Sequence, residues 1–451
     1  MKYSLIFIFA FIRILSVAQV PQGDRILGWQ VDMSENNNYD SAFDYALKGC
    51  MQTISLAIPW SSIEPNNGEF DQNYIDNVLK IANIYYPAFG TKVELQIFTM
   101  NTVVKELPKD LLNTNFDNPV MIERFKKLLD KLFEHIPNIE LTVLNIGNES
   151  DGIMGTDAKK YLAYKKFLNE VIPYAKQLYL KLHQEDLKVG TTFTYHGLTD
   201  KSTRSLCQSV NKDLDVVSVT YYPLNNDFTM KDPSVVSDDF NQIVSIYPSL
   251  IQPIYFVECG YSSSLTCNSS DDQQALFWHN VFNAWDDHVD NIKYLMIFKS
   301  TDWSQQEVDD FGKYYGIMSQ EFLEYLRTLG VRTWKGHGRS KPAYDLILCE
   351  LKSRGWCNAK CTYSSLQETD YNSNNTIIPN PILDQFSIKI PHNVSGKISV
   401  IIRSINGSIV KTIDNYEKDK NIKMNEYKSG LYIVQIMTSN QIISKIKLVK
   451  L

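Results

Sequence analysis

Leu144-Asn145-Ile146-Gly147-Asn148-Glu149 closes an apolar run that begins at Leu141, and Ile254-Tyr255-Phe256-Val257-Glu258-Cys259-Gly260 repeats the arrangement: an apolar run, then a carboxylate. Neither run alternates apolar and polar residues as a strand with one wet face would. Both read as strands buried on two faces, the habit of parallel sheets. A carboxylate at the end of such a strand is costly unless it is paired or put to use. Glu149 and Glu258 are therefore read together with the strands that carry them.

Six further runs of the same kind are spread along the chain. Ile26 to Val31, Thr53 to Ile58 and Lys92 to Phe98 precede the first acid. Lys188 to Thr194 and Val216 to Tyr221 lie between the two, and Tyr294 to Phe298 follows the second. Helical periodicity fills the intervals. Met121, Phe125, Leu128, Leu129, Leu132 and Phe133 recur at three- and four-residue spacing within Val120 to His135, and Tyr161 to His183 and Gln273 to Trp285 behave alike. Strand and helix alternating eight times predicts an α/β chain of the (β/α)8 barrel type. A doubly wound sheet is the rival, but the polar residues massed after the strand ends favour closure. Glu149 then ends strand four and Glu258 strand seven, and both point to the same rim.

The 451 residues leave room for more than a barrel, and the composition changes beyond Cys361. Ser364 to Asn375 is polar and rich in Ser, Asn and Thr, so residues 363–376 read as a linker and 19–362 as the barrel. From 377 to 451 short alternating runs, among them Phe386-Ser387-Ile388-Lys389-Ile390 and Tyr432 to Met437, are parted by Asn406-Gly407 and Ser429-Gly430. They predict a small all-β sandwich. At the other end, Lys2, the apolar stretch Leu5 to Val17 and Ser16-Val17-Ala18 before Gln19 read as an export signal over residues 1–18. No later segment approaches the ~20 apolar residues of a membrane span.

A net charge of −6 and the lack of a basic run give no case for nucleic acid. Aromatic residues make up 12% of the chain, which suits stacking on sugar faces and equally suits large cores. Seven cysteines in an exported chain leave at least one unpaired. A local bridge between Cys259 and Cys267 would brace the rim, and Cys349, Cys357 and Cys361 cluster at the end of the barrel. Zinc is the other reading of that cluster, but no His stands at a suitable spacing.

Two carboxyl groups facing each other suit glycosidic-bond cleavage with retention, in which one acid stays protonated and the other attacks; they then lie ~5 to 5.5 Å apart. Asn148-Glu149 and Glu258, on strands four and seven, resemble the acid pair of the clan A glycoside hydrolases, which include β-galactosidases, cellulases and mannanases. The resemblance covers roughly residues 24 to 355. It implies Glu149 as acid/base, Glu258 as nucleophile and Asn148 as a donor to the sugar 2-hydroxyl, with no cofactor.

Trp60-Ser61-Ser62-Ile63-Glu64-Pro65 followed by Gly68-Glu69-Phe70-Asp71 is similar to a clan segment after strand two, which brings in Trp60. Thr220-Tyr221-Tyr222-Pro223 ends strand six where the clan places a Tyr beside the nucleophile, here Tyr222, and Trp303 fits an aromatic floor. His196, Asp32 and Asn101, after strands five, one and three, are candidate sugar contacts. Two departures stand out: strand two holds no Arg between Met51 and Trp60, and Thr220 replaces the His of several clan families.

The expected activity is therefore a secreted retaining β-glycosidase. No large insertion over the mouth stands out, so an extended polysaccharide is the expected substrate. A non-catalytic carbohydrate-binding or adhesion protein on the same barrel, and a transglycosidase, are the alternatives. The C-terminal region resembles the type A sorting domain of the type IX secretion system in Pro379-Asn380-Pro381, Gly430-Leu431-Tyr432-Ile433-Val434 and the Lys-bearing end Lys445 to Lys450. That resemblance implies the secretion machinery as a partner; a carbohydrate-binding module is the rival reading.

Overall fold

The computed structural model describes residues 20–33, 38–334, 338–361, 376–378, 382–390, 397–404, 408–438 and 441–450. The expected export signal, most of the linker and the Pro379-Asn380-Pro381 motif lie outside them. The chain divides into two compact units, Met1–Thr362 and Tyr363–Leu451.

The first unit is a parallel barrel. Its strands are β1 (Ile26–Trp29), β2 (Thr53–Pro59), β3 (Lys92–Asn101) and β4 (Leu141–Asn148), then β5 in two pieces (Val189–Gly190 and Thr192–Thr194), β6 (Val217–Tyr221), β7 (Ile254–Cys259) and β8 (Ile292–Ile297). Each pairs in parallel with its neighbours in sequence, and β1 also pairs with β8. The ring closes through the divided fifth strand: Val189 and Gly190 pair with Leu144 and Asn145, whereas Thr192 to Thr194 pair with Ser218 to Thr220. A Cβ on Gly190 would sit 2.6 Å from Ser218 Oγ and 2.7 Å from Asn145 Oδ1, so glycine permits this crossing. Every residue of β4 and β6 is buried, in accord with their unbroken apolar runs.

The helices begin where the sequence supplies caps. Asn118 accepts from Val120 N ahead of Pro119–His135, whose Met121, Phe125, Leu128, Leu129, Leu132 and Phe133 face the core. Asp157 caps Ala158–His183 and Ser270 caps Asp271–Asp287. Strand ends differ from expectation by a few residues; β3, β4 and β7 run further toward the rim than their apolar runs suggest.

Disulfides join Cys50 to Cys357 and Cys349 to Cys361. The expected Cys259–Cys267 bridge is absent: both thiols are free and buried. Strand alternation explains it, because Glu258 faces the barrel and Cys259 must then face the helical layer. Cys267 instead directs its Sγ to the carbonyl of Glu321, 3.3 Å away.

The second unit holds two antiparallel sheets. Strands β9 (Thr376–Ile378), β10 (Gln385–Lys389) and β13 (Ile422–Lys423) form one. In the other, β12 (Ile409–Ile413), β11 (Ile398–Ser404), β14 (Gly430–Thr438) and β15 (Gln441–Lys450) lie in that order. Alternate residues of both, including Phe386, Ile388, Val400, Ile402, Val434 and Ile436, share one core.

Candidate active site

Strand β4 ends in a sharp turn. Gly147 has φ +80° and Glu149 has φ +45°, a conformation that few residues other than glycine adopt. Thr102, just beyond β3, also lies in the left-handed region at φ +53°, which is rarer still for a β-branched residue. The two turns are joined: Thr102 N donates to Asn148 O at 3.1 Å, and Thr102 Oγ1 donates to Glu149 Oε2 at 2.5 Å. Non-glycine residues held this way cluster at functional sites.

The other carboxylate oxygen of Glu149 accepts from Thr220 Oγ1 at 2.7 Å. Thr220 stands in ladder register with Glu258 of β7. Two residues along the chain, Tyr222 donates its hydroxyl to Glu258 Oε2 at 2.7 Å. The end of β6 thus holds both acids, one through Thr220 and the other through Tyr222. Asn148 adds a donor to Glu258 and also bonds Asn101 Oδ1 at 3.1 Å.

Burial, and then the charge of Glu149, push Glu258 up to about 8, against the hydrogen bonds from Tyr222 and Asn148. Near neutral pH the pair therefore retains a proton. Beneath it Glu94 of β3 is fully buried and burial pushes it up to about 8 as well, with Gln96 Nε2 and Asn145 Nδ2 donating to its Oε1 at 2.7 and 2.9 Å. Asp151, just after Glu149, rises to about 6 through burial, opposed by bonds from Thr194.

Trp303, the expected floor residue, reaches the acids' neighbour Tyr222 through another ring. Phe298, immediately after β8, lies edge-on to both Tyr222 and Trp303, at 5.7 and 5.8 Å. Lys299 Nζ sits 3.5 Å above the Trp303 ring and 3.0 Å from Asp32 Oδ2. Burial lowers this lysine to about 8, opposed by Asp32. Asp32 is thereby committed to an ion pair.

Asn101 lies at the site through Asn148. Trp60 does not: it is fully buried, donates to Glu64 Oε2 at 2.7 Å and packs edge-on against Phe125. Glu64 in turn accepts from Gly68 N and from Arg124 Nε, so the Trp-Glu-Pro-Gly segment braces the loop after β2. His196 is exposed on the short helix Tyr195–Thr199, outside the bonded set around the acids.

Sequence reasoning missed Thr102, Phe298, Tyr315 and Tyr325. The two tyrosines belong to helices Gln305–Tyr315 and Gln320–Arg327, which fill the long interval between β8 and the final barrel helix Pro342–Ser353. Ser304 with Glu307, and Ser319, are caps that could have announced them. The mouth is therefore not free of insertions, contrary to expectation. Beside these helices a cavity of about 490 Å³ opens between Phe228, Thr266, Ser319 and Glu321.

Residues 376–450 match the family of secretion system C-terminal sorting domains. The second unit is a sorting domain. The protein is accordingly secreted or displayed at the cell surface. No curated protein sequence matches the chain. Among solved structures, an exo-β-1,4-mannosidase from Opitutaceae bacterium strain TAV5 is similar in fold, with TM-score 0.53 and 13% identity, over 73% of this chain and 59% of that one. The chain thus spans 59% of that enzyme's length. GH5_18 from Streptomyces cattleya in complex with GlcNAc gives TM-score 0.56 and 12% identity, over 75% and 81% of the two chains. A GH5_18 variant from Bifidobacterium longum subsp. longum in complex with Manβ1-4GlcNAc gives 0.55 and 13%, over 73% and 79%. The first unit shares the barrel fold of these three proteins.

Proposed function

We propose that the protein is a secreted retaining β-glycosidase, with Glu258 as nucleophile and Glu149 as acid/base. One observation carries the reading: the acids that end β4 and β7 are both held by β6, Thr220 bonding one and Tyr222 the other. Double displacement requires two facing acids, one ionised to attack and the other protonated to release the leaving oxygen.

In the first step a Glu258 oxygen attacks the anomeric carbon, the glycosidic C–O bond breaks, and the Glu149 proton passes to the leaving oxygen. In the second, Glu149 takes a proton from water. The water oxygen then displaces Glu258 and restores its carboxylate. The proton must therefore lie on Glu149 at the moment of attack. Positive charge developing at the anomeric carbon beside Glu258 favours that distribution, and Tyr222 and Asn148 steady the ionised Glu258. Asn148 is suited to the 2-hydroxyl, and Phe298 with Trp303 to the apolar face of the ring.

The mannosidase and the Manβ1-4GlcNAc complex among the structural relatives make β-mannosides the first substrates to assay, followed by β-glucosides and β-galactosides. Glu258→Gln and Glu149→Gln should each abolish hydrolysis in the full chain. Equal activity in wild type and Glu258→Gln would sink the mechanism. The non-catalytic reading draws on one feature: the strongest charges acting on Glu258 are carboxylates, Glu149 and Glu94. Wild-type binding without hydrolysis would favour it.

A further inference from the structure

Strand β8 is three places from β3 around the ring by way of β1 and β2, so loops after these two strands face each other across most of the mouth. The helical hairpin after β8 crosses that gap. At the end of its first helix, Tyr314 donates to Glu106 Oε1 at 2.5 Å and accepts from Asn101 Nδ2 at 3.3 Å. Both partners belong to the segment at the end of β3. Tyr315 lies beside Thr102 and Asn101 and within the field of both acids.

The second helix leans the other way. Tyr325 is buried edge-on to Tyr222 at 5.9 Å and also feels both acids. Phe228, from the loop after β6, packs on Phe322 and Tyr325 at 4.8 and 6.2 Å. The hairpin is therefore tied to the segments that follow β3 and β6.

It is also rigid. Ser304 and Glu307 form a reciprocal cap, and Ser319 caps the second helix. A Cβ on Gly312 would sit 2.7 Å from Met318 Sδ, so the turn packs directly on the first helix. At the base, Lys341 Nζ donates to Asp302 Oδ1 at 2.7 Å and to Thr328 O at 3.2 Å. Nothing in this bracing resembles a loop waiting to swing.

We propose that the hairpin Gln305–Arg327 blocks one end of the substrate groove, so that the site accepts the terminus of a β-linked glycan and not its interior. This rests on the reading of the barrel as a β-glycosidase. A polymer held across the acids needs an open groove on both sides of them. Tyr314, tied to the segment after β3, and Tyr325, edge-on to Tyr222, stand together on the hairpin's side of the acids and close the groove at that one end. The polar edges of Tyr315, Asn101 and Thr102 are suited to the hydroxyls of a terminal sugar.

The test measures binding to the catalytically silent Glu258→Gln chain, by calorimetry, with β-1,4-linked manno-, gluco- and galacto-oligosaccharides of increasing length and with the parent polymers. The expected result is one protein bound per glycan chain whatever its length. The wild type should release short products from the polymers with little fall in viscosity. Stoichiometry that grows with chain length, or a rapid fall in viscosity at low release of reducing ends, would overturn the proposal while leaving the glycosidase reading intact. Binding to none of these glycans would overturn both. Tyr314→Ala, which removes the tie to β3, should raise the polymer-to-oligosaccharide ratio of kcat/KM severalfold; an unchanged ratio in a folded variant counts against the proposal.

Discussion

Thr220 donates its hydroxyl to Glu149 at 2.7 Å and stands in register with Glu258 on the adjacent strand. A short β-branched residue thus links the acid at the end of β4 to the strand beside β7. With Thr102 on the other oxygen, Glu149 is gripped by two hydroxyls in one orientation.

That grip is testable by removing one hydroxyl at a time. A hydrogen bond to a charged group contributes about 1.5–3 kcal/mol, so Thr220→Val or Thr102→Val should lower kcat about 10- to 100-fold. Thr220→Ser and Thr102→Ser keep the donor and should recover most of the loss. A serine variant as impaired as its valine counterpart would argue that the side chain only packs.

Tyr222 controls the other acid. Its hydrogen bond lowers the pKa of Glu258, opposing burial and the charge of Glu149. Tyr222→Phe should therefore move the acidic limb of the kcat/KM profile to higher pH and reduce kcat. A profile that keeps its acidic limb in place would separate Tyr222 from the titration of Glu258.

Stability should carry the same signature. Glu258 titrates at about 8 in the folded chain, well above the roughly 4.3 of an unfolded glutamate. The folded state then binds the proton more tightly, and its stability falls as pH rises between those values. Glu258→Gln, which has no proton to lose, should gain in Tm over wild type across about pH 5 to 8. A difference in Tm that does not change with pH would contradict the burial of the carboxyl.

The covalent frame gives a separate check. Intact-protein mass spectrometry with alkylation under denaturing, non-reducing conditions should find two disulfides and label Cys207, Cys259 and Cys267. Cys50→Ser opens a bridge spanning most of the barrel and should cost about 2–5 kcal/mol. Protection of Cys259 and Cys267 from alkylation would revive the bridge that strand alternation forbids.

Much of the barrel was legible because strands buried on both faces leave unbroken apolar runs, and a carboxylate after such a run is anomalous enough to notice. The division of β5 at Thr191 was not legible, since pairing to two different neighbours leaves no mark on composition. Trp60 misled because the segment it opens is defined by bonds among its own members, Glu64, Gly68 and Arg124, and these look the same in sequence as a sugar contact. Thr102 depends on a left-handed backbone that a Thr does not advertise. The helices over the mouth were missed because their buried aromatics face the site, so nothing in their pattern distinguishes them from ordinary outer helices.

The central claim is that Glu258 forms the bond to sugar and Glu149 moves the proton. Incubation of the full chain with a 2-deoxy-2-fluoro-β-glycoside bearing a good leaving group, followed by peptide mass spectrometry, tests it directly. The predicted result is a single glycosyl adduct on Glu258, with products of retained anomeric configuration. An adduct on Glu149, or inverted products with no adduct, would contradict it.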